Sequence, residues 1–390
     1  MKKIWVVSEF FYPETISSGY LLTEISKYLS KDYDIEIICG PSFYIKNKKN
    51  SLIKQDINLK INRISEFTYN KDNIFQRLLA NVIVSFRLFI LMRDKIPKGA
   101  SVLMVSSPII LPLIVGFFVK KNKWKINLLV YDIFPENLLV FKKNNFAINL
   151  FYPFVKFIYD TAFSRMHTLI ALGRDMEYVL RNKTKNKVKI KIIPCWSDTD
   201  EIYSNKITNE PFIFLFAGNL GLVQGIDILL NAITLVNSDK VKFQFIGNGA
   251  KQKLIEKHAQ QLQKGIIELF PWQPRENQNK FLSNATIGVV TLADGMYGLG
   301  VPSKFYNLLS AGKPIFYIGP KNSEIHLLIR EYQIGWFVES GDIISIKKTI
   351  EEIINTNINT LQEYSNNSRK LAESVYNKDK VLKNYHSLFK

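Results

Sequence analysis

What most constrains this chain is a rhythm that runs through it twice. Short β-rich runs, IWVVS (4–8), IEIICG (35–40), SVLMVSS (101–107), INLLVYD (126–132), HTLIAL (167–172) and KIKIIPC (189–195), are separated by helical patterns near 19–31, 111–120 and 145–164. Almost wholly apolar strands spaced by helices predict a parallel sheet covered on both faces, a doubly wound α/β domain. The rhythm restarts at FIFLFAG (212–218) and continues through VKFQFIG (241–247), IIELFPW (266–272), TIGVVTL (286–292) and PIFYIG (314–319). At 390 residues the chain is too long for one ordinary core. The polar stretch around 197–211, ending at Pro211, places a boundary near residue 205. We expect two Rossmann-like domains, 1–205 and 206–370, with ligands at the carboxyl ends of their strands and a helical tail, about 371–390, that packs back on the first domain.

Apolar residues make up 47% and charged residues 22%, which fits a globular protein and excludes a disordered one. Fifty-two Lys and Arg against 34 Asp and Glu leave +18, which calls for an anionic partner without choosing among nucleic acid, membrane surface and phosphorylated substrate. There is no helix-turn-helix, zinc finger or RNA-binding aromatic signature, so nucleic acid is set aside. Two cysteines, Cys39 and Cys195, make neither a disulfide framework nor a metal site. The opening MKKIWVVSEF is too short in apolar residues for a secretion signal. VLMVSSPIILPLIVGFFVKK (102–121) imitates a membrane span, but Ser106, Ser107, Pro108 and Pro112 divide it into a strand and a buried helix. A cytoplasmic location is expected.

Two segments carry chemistry. In FLFAGNLGLVQGIDILLNAI (214–233), Gly218, Gly221 and Gly225 turn a strand into a helix and let backbone approach a phosphate. In GVPSKFYNLLSAGKP (300–314), Pro302 marks the first helical position, Ser303 follows it, and Ala311-Gly312 ends a short helix. Lys304 then stands in a first turn, where the helix dipole disfavours a cation, and a nearby anion would account for it. Asp198-Thr199-Asp200 imitates a metal-binding triplet but lies at the domain seam, where a helix-start cap explains it. The four histidines have no ligand spacing, and no metal is expected.

AGNLGLVQGIDILL and PSKFYNLLSAGKP together resemble the donor half of a family 4 glycosyltransferase of the GT-B fold. The likeness is narrower still to the branch of bacterial capsule and O-antigen enzymes that includes fucosamine transferases. SEFFYPETISSGYLLTEISKYLS, VYDIFPENLLV, IIPCWSDTDEI, FIGNGAKQKL, FPWQPREN and NSEIHLLIREYQIGWFVESGD also fit the family in order, so the resemblance spans nearly the whole chain. It implies two Rossmann-like domains facing across a cleft, the first for the acceptor. The implied donor is a nucleotide sugar, UDP-HexNAc or a deoxy-HexNAc such as a UDP-fucosamine derivative, and the acceptor a lipid-linked, polyprenyl-diphosphate glycan. Transfer would retain the anomeric configuration without metal, cofactor or covalent enzyme intermediate, the leaving diphosphate taking the acceptor's proton. Two other readings carry weight: a non-catalytic UDP-sugar-binding protein and a UDP-sugar 2-epimerase.

The resemblance also distributes roles. Lys304 and Asp132 are the catalytic candidates, Lys304 for charge on the diphosphate and Asp132 for the acceptor hydroxyl, with Glu136 a weaker one. Ser17, Ser18 and Gly19, before a helix, would offer N–H groups to the diphosphate. Gly218, Asn219, Gln224, Gly247, Pro302, Ser303, Asn307 and Glu324 would line the donor, and Trp272 and Gln273 would neighbour its base. Where many relatives carry an Arg and a Lys at the glycine corner, this chain has Asn219 and Gln224. Asn307 replaces the second of two glutamates, and the role of the first falls to Asp294 or is vacant. Aromatic and basic helices at 71–98 and 140–168 suit the interface of an anionic membrane.

Overall fold

A computed structural model of the chain describes residues 1–14, 16–41, 58–65, 74–144, 146–205, 207, 211–262 and 265–390. Contacts divide it into unit 1, Met1–Ile193 with Leu382–Lys390, and unit 2, Pro194–Val381.

Unit 1 holds seven parallel strands, β1 (Lys3–Ser8), β2 (Asp34–Cys39), β3 (Lys60–Arg63), β4 (Ser101–Val105), β5 (Lys125–Leu129), β6 (Thr168–Ala171) and β7 (Lys189–Ile192), in the order β3-β2-β1-β4-β5-β6-β7. Between them run α1 (Ser17–Leu29), α2 (Ile74–Lys95), α3 (Leu111–Asn122), α4 (Phe146–Phe163) and α5 (Arg174–Thr184). The central strands are buried on both faces: Ile4, Val6 and Val7 pair in register with strands on either side, Val6 opposite both Ile37 and Leu103. A Cβ on Gly116 would come within 2.6 Å of the Ala162 Cβ, so a glycine there lets α3 and α4 pack at close range.

Unit 2 holds β8 (Phe212–Ala217), β9 (Val241–Ile246), β10 (Ile267–Phe270), β11 (Ile287–Thr291), β12 (Ile315–Gly319) and β13 (Gly335–Glu339), all parallel, ordered β10-β9-β8-β11-β12-β13. Its helices are α6 (Ile226–Ile233), α7 (Gln252–Gln261), α8 (Gln278–Ser283), α9 (Lys304–Ser310), α10 (Glu324–Tyr332), α11 (Ile343–Ile354), α12 (Ile358–Ser374) and α13 (Lys378–His386), whose last residues belong to unit 1. Phe214, Phe216, Phe243, Phe245 and Phe316 form an aromatic core, Phe214 stacking on Phe243 at 5.0 Å.

Four expectations shift. The division falls at Ile193–Pro194 rather than near 205, because the polar stretch read as a seam is built into unit 2. The Ser197 amide donates to the Tyr376 carbonyl at 2.8 Å, its hydroxyl donates to the Tyr306 carbonyl at 3.0 Å, and Asp198 pairs with Arg275. The tail returns to unit 1 only from Leu382, since α12 is fixed in unit 2 by Ser365 on the Gly312 carbonyl (2.6 Å) and Arg369 on the Ile202 carbonyl (2.7 Å). Ser17, Ser18 and Gly19 are the first residues of α1 rather than a loop before it. The 198–200 triplet makes a turn, with the Glu201 amide on the Asp198 carbonyl, and starts no helix.

In unit 1 a buried carboxylate ties three strands. Glu36 accepts from Lys3 at 2.5 Å, Lys60 at 3.0 Å and Asn62 at 2.9 Å. Burial alone would raise its pKa, but these donors prevail and hold it down at about 2. The ionised form contributes stability above the unfolded carboxyl's ordinary value, and that contribution disappears as pH falls through the folded one. With both lysine partners partly in water, it amounts to roughly 2 kcal/mol. Glu36→Gln should therefore lower unit 1 stability by about that much at pH 7 and by little near pH 2, read from denaturant titrations at the two pH values.

Candidate active site

In each sheet the strand order reverses at one place, between β1 and β4 in unit 1 and between β8 and β11 in unit 2, and open parallel sheets bind ligands at the carboxyl ends flanking such a point. The glycine corner of 217–225 lies there in unit 2. Gly218 donates to the Ile246 carbonyl at 2.8 Å, and Leu220 to the Asn248 carbonyl at 3.0 Å. Gly247 has φ +147°, and a Cβ on it would stand 1.9 Å from the Gly218 carbonyl oxygen, so the ends of β8 and β9 interlock backbone to backbone. On the other side the Ala293 amide donates to the Val223 carbonyl at 3.0 Å, and the Thr291 hydroxyl donates to the Gln224 carbonyl. Gly225, at φ +65°, leaves the corner in the left-handed region where α6 begins.

Lys304 enters this corner from below. It is the first residue of α9, with Ser303 as N-cap, so Pro302 stands one residue before the cap rather than at the first helical position. The Lys304 ammonium sits 3.3 Å from the centroid of the Phe216 ring and donates to Gln224 Oε1 at 3.0 Å, and its Cε lies beside Gly218. Burial pushes its pKa well below the ordinary lysine value. A cation is thus held at a helix start and out of water, two unfavourable placements, on a neutral amide and an aromatic face. The arrangement is chemically suited to an anion resting on the glycine backbone.

Other donor-side candidates lie along the same edge of unit 2. Asn219 is exposed, its side chain folded toward Gly221. Trp272, beyond β10, is exposed, and its amide donates to Asn248 Oδ1 at 3.4 Å. Gln273 accepts from Asn277 at 3.1 Å. Asn307 lies in α9, one turn beyond Ser303, with its carbonyl accepting from Ala311. Glu324 is buried as the first residue of α10, just past β12, after a Ser323 that bonds the Tyr317 hydroxyl at 2.9 Å.

Unit 1 presents carboxylates past the carboxyl ends of its central strands. Asp132 follows β5 and reaches solvent, yet the protein crowded around its carboxyl pushes its pKa up to about 6. Glu136 points elsewhere: it is buried on Lys183 at 2.9 Å and Lys156 at 2.8 Å, both of which also hold Asp160 at 2.8 Å. That is a structural ion cluster, and Glu136 is committed to it. Ser18 and Gly19 sit in the first turn of α1, where amides have no partner within the helix. Sequence reading passed over Glu9, which follows β1 directly and accepts from Ser107, past β4, at 2.6 Å. Burial raises its pKa. Its signal was positional only, a carboxylate immediately after a central strand. Among the described residues no cluster of His, Cys, Asp and Glu has the makings of a metal site.

A family profile described as glycosyl transferases group 1 matches residues 197–371. Over 374 residues the chain is 30% identical to the "Probable glycosyltransferase WbjE" of Pseudomonas aeruginosa, covering 93% of this chain and 92% of that protein. The chain belongs to the group 1 glycosyltransferases. This transferase also superposes on sucrose-phosphate synthase of Thermosynechococcus elongatus with a TM-score of 0.77 at 13% identity, covering 100% of this chain and 98% of the other. With WaaG, a glycosyltransferase of lipopolysaccharide biosynthesis, the TM-score is 0.68 at 11% identity, covering 99% of each chain. At such identities the likeness speaks for the fold, which is GT-B.

Because the transferase's glycine corner depends on one close approach, Gly247→Ala should cost on the order of 3 kcal/mol or more, combining overlap with an unfavourable φ. A fall in unit 2's Tm together with loss of any nucleotide response checks it.

Proposed function

We propose that this glycosyltransferase moves a sugar from a UDP-sugar, a HexNAc or deoxy-HexNAc donor, to a lipid-linked glycan in the assembly of a cell-surface polysaccharide such as capsule or O-antigen, with retention of configuration. The observation that carries the donor assignment is Lys304, whose ammonium rests on a neutral amide and an aromatic ring beside glycine backbone, at the point where the second sheet reverses. The donor's diphosphate would rest on the amides after Gly218 and on Lys304, with Gly247 underneath. Asn219, Gln224, Pro302, Ser303, Asn307 and Glu324 would surround the sugar and ribose, and Trp272 and Gln273 the base.

As the bond from the anomeric carbon to the diphosphate oxygen lengthens, negative charge grows on that oxygen and Lys304 stabilises it. The acceptor hydroxyl adds to the anomeric carbon on the same face, and its proton passes to the departing diphosphate. Asp132, ionised, holds that hydroxyl through a hydrogen bond. No protein nucleophile, metal or cofactor takes part in this scheme. The departures at Asn219 and Gln224 suit it electrostatically, since a cation at 224 would stand against the Lys304 ammonium.

A thermal-shift panel of UDP, GDP, ADP and their sugar conjugates tests the donor class. UDP at 100 times its dissociation constant should stabilise the fold by about 2.7 kcal/mol. No response to any nucleotide would overturn the transferase site and leave a scaffold.

An anion beside Lys304 should raise the pKa that burial lowers. UDP binding is then expected to be linked to proton uptake, visible as a buffer-dependent calorimetric enthalpy, and Lys304→Ala should abolish that uptake and lower kcat/KM about 10²-fold. If Asp132 works as a carboxylate, turnover should fall as pH drops below about 6, and Asp132→Asn should remove that limb of the pH profile while lowering kcat about 10²-fold. A profile unchanged by the substitution would take Asp132 out of the mechanism.

A further inference from the structure

Helix α4 buries Tyr159, Ala162 and Phe163 toward its end but turns rings outward before them. Lys156 and Asp160 turn toward Glu136 and Lys183 in the ion cluster of unit 1. Phe151, Phe154 and Phe157, three residues apart and so on one face, turn outward, Phe154 at 66% exposure and Phe157 at 69%. A surface helix ordinarily does the reverse. The neighbouring helices continue the apolar face. On α3, Phe117 is exposed, and Phe118 meets Phe89 of α2 at 5.0 Å; on α2, Phe86 and Ile90 are exposed one turn apart. Gly116 against Ala162 packs α3 closely on α4. Scattered exposed apolar residues need no account, but large apolar side chains left exposed on three packed helices mark an interaction surface.

The charge around it selects the partner. The carboxyl ends of α2 and α3 and the turns after them carry exposed Lys95, Lys98, Lys120, Lys121 and Lys123, and Asp94 is the single acidic residue between 74 and 125. An apolar face bordered by cations fits a bilayer with anionic headgroups, the rings reaching the acyl boundary and the lysines the phosphates. A second copy of this chain fits poorly: a two-fold contact sets one patch against itself and brings the same lysines together. The geometry points to the α2–α3–α4 face of unit 1 as the surface by which the protein docks on an anionic membrane. This extends the lipid-linked acceptor of the functional reading, because it would hold unit 1 at the lipid from which that acceptor extends.

The test is co-sedimentation of the full chain with vesicles of phosphatidylcholine alone and with roughly 30% phosphatidylglycerol added. We expect binding to the anionic vesicles, weaker binding without phosphatidylglycerol and weakening by salt. The double variant Phe154→Ser, Phe157→Ser, at exposed positions, should lose binding at least tenfold while keeping the wild-type Tm. Wild-type protein that ignores both vesicles, or a double variant that binds as wild type does, overturns the assignment. So does a wild-type dimer in sedimentation velocity that the double variant disperses, which would make the face a contact between copies. The UDP thermal shift is read on the same samples. Vesicle binding without a nucleotide response keeps the surface and removes the transferase reading, and the converse does the opposite.

Discussion

Unit 2 of this protein depends on a contact between two backbones. Gly247 lies under the Gly218 carbonyl with no room for a side chain, and from that approach the rest of the corner follows. Leu220 reaches the Asn248 carbonyl, Val223 meets Ala293, and Gln224 arrives where its amide oxygen can receive Lys304. The three loops that end β8, β9 and β11 are therefore one object. Its amides are displayed by main-chain geometry, a rigid source of hydrogen-bond donors that no rotamer change can withdraw.

Electrostatics sharpen what the geometry begins. Moving an ammonium out of water is unfavourable, and a helix start adds to the cost. Phe216 and the neutral Gln224 offset part of it. Had 224 been a lysine, two ammonium groups would crowd one small space, and had it been a carboxylate, the charge would be neutralised in advance. An amide leaves the cation held in place and its charge unspent. The neutral residues that look like losses when set beside other group 1 glycosyltransferases are consistent with concentrating the work in a single side chain.

The strands were legible because parallel strands buried on both faces must be apolar almost throughout, and IWVVS, FIFLFAG and VKFQFIG are. The glycine corner was legible because only glycine tolerates positive φ at such contacts. What escaped depends on partners distant in sequence. Glu136 reads as a free carboxylate after a strand until Lys183, 47 residues on, arrives beside it. Glu9 and Ser107, 98 residues apart, cannot be joined by any local pattern. The polar run after Pro194 reads as a linker because its partners, Tyr376 and Arg369, lie far down the chain. Pro302 misled by one general rule: proline suits a first helical position, but it serves equally well in the turn leading to a cap.

The return of the chain to unit 1 has a consequence for how the molecule comes into being. His386 pairs with Asp32 at 3.1 Å, the Phe389 ring meets Tyr33 edge-on, and its carbonyl accepts from the Lys2 ammonium at 2.5 Å. During synthesis these partners emerge only after the whole of unit 2. Unit 2 is thus the continuous piece, able to gather its sheet from neighbours in sequence, while unit 1 must hold an unfinished edge open across nearly two hundred residues of waiting. The half of the protein made first is the half completed last.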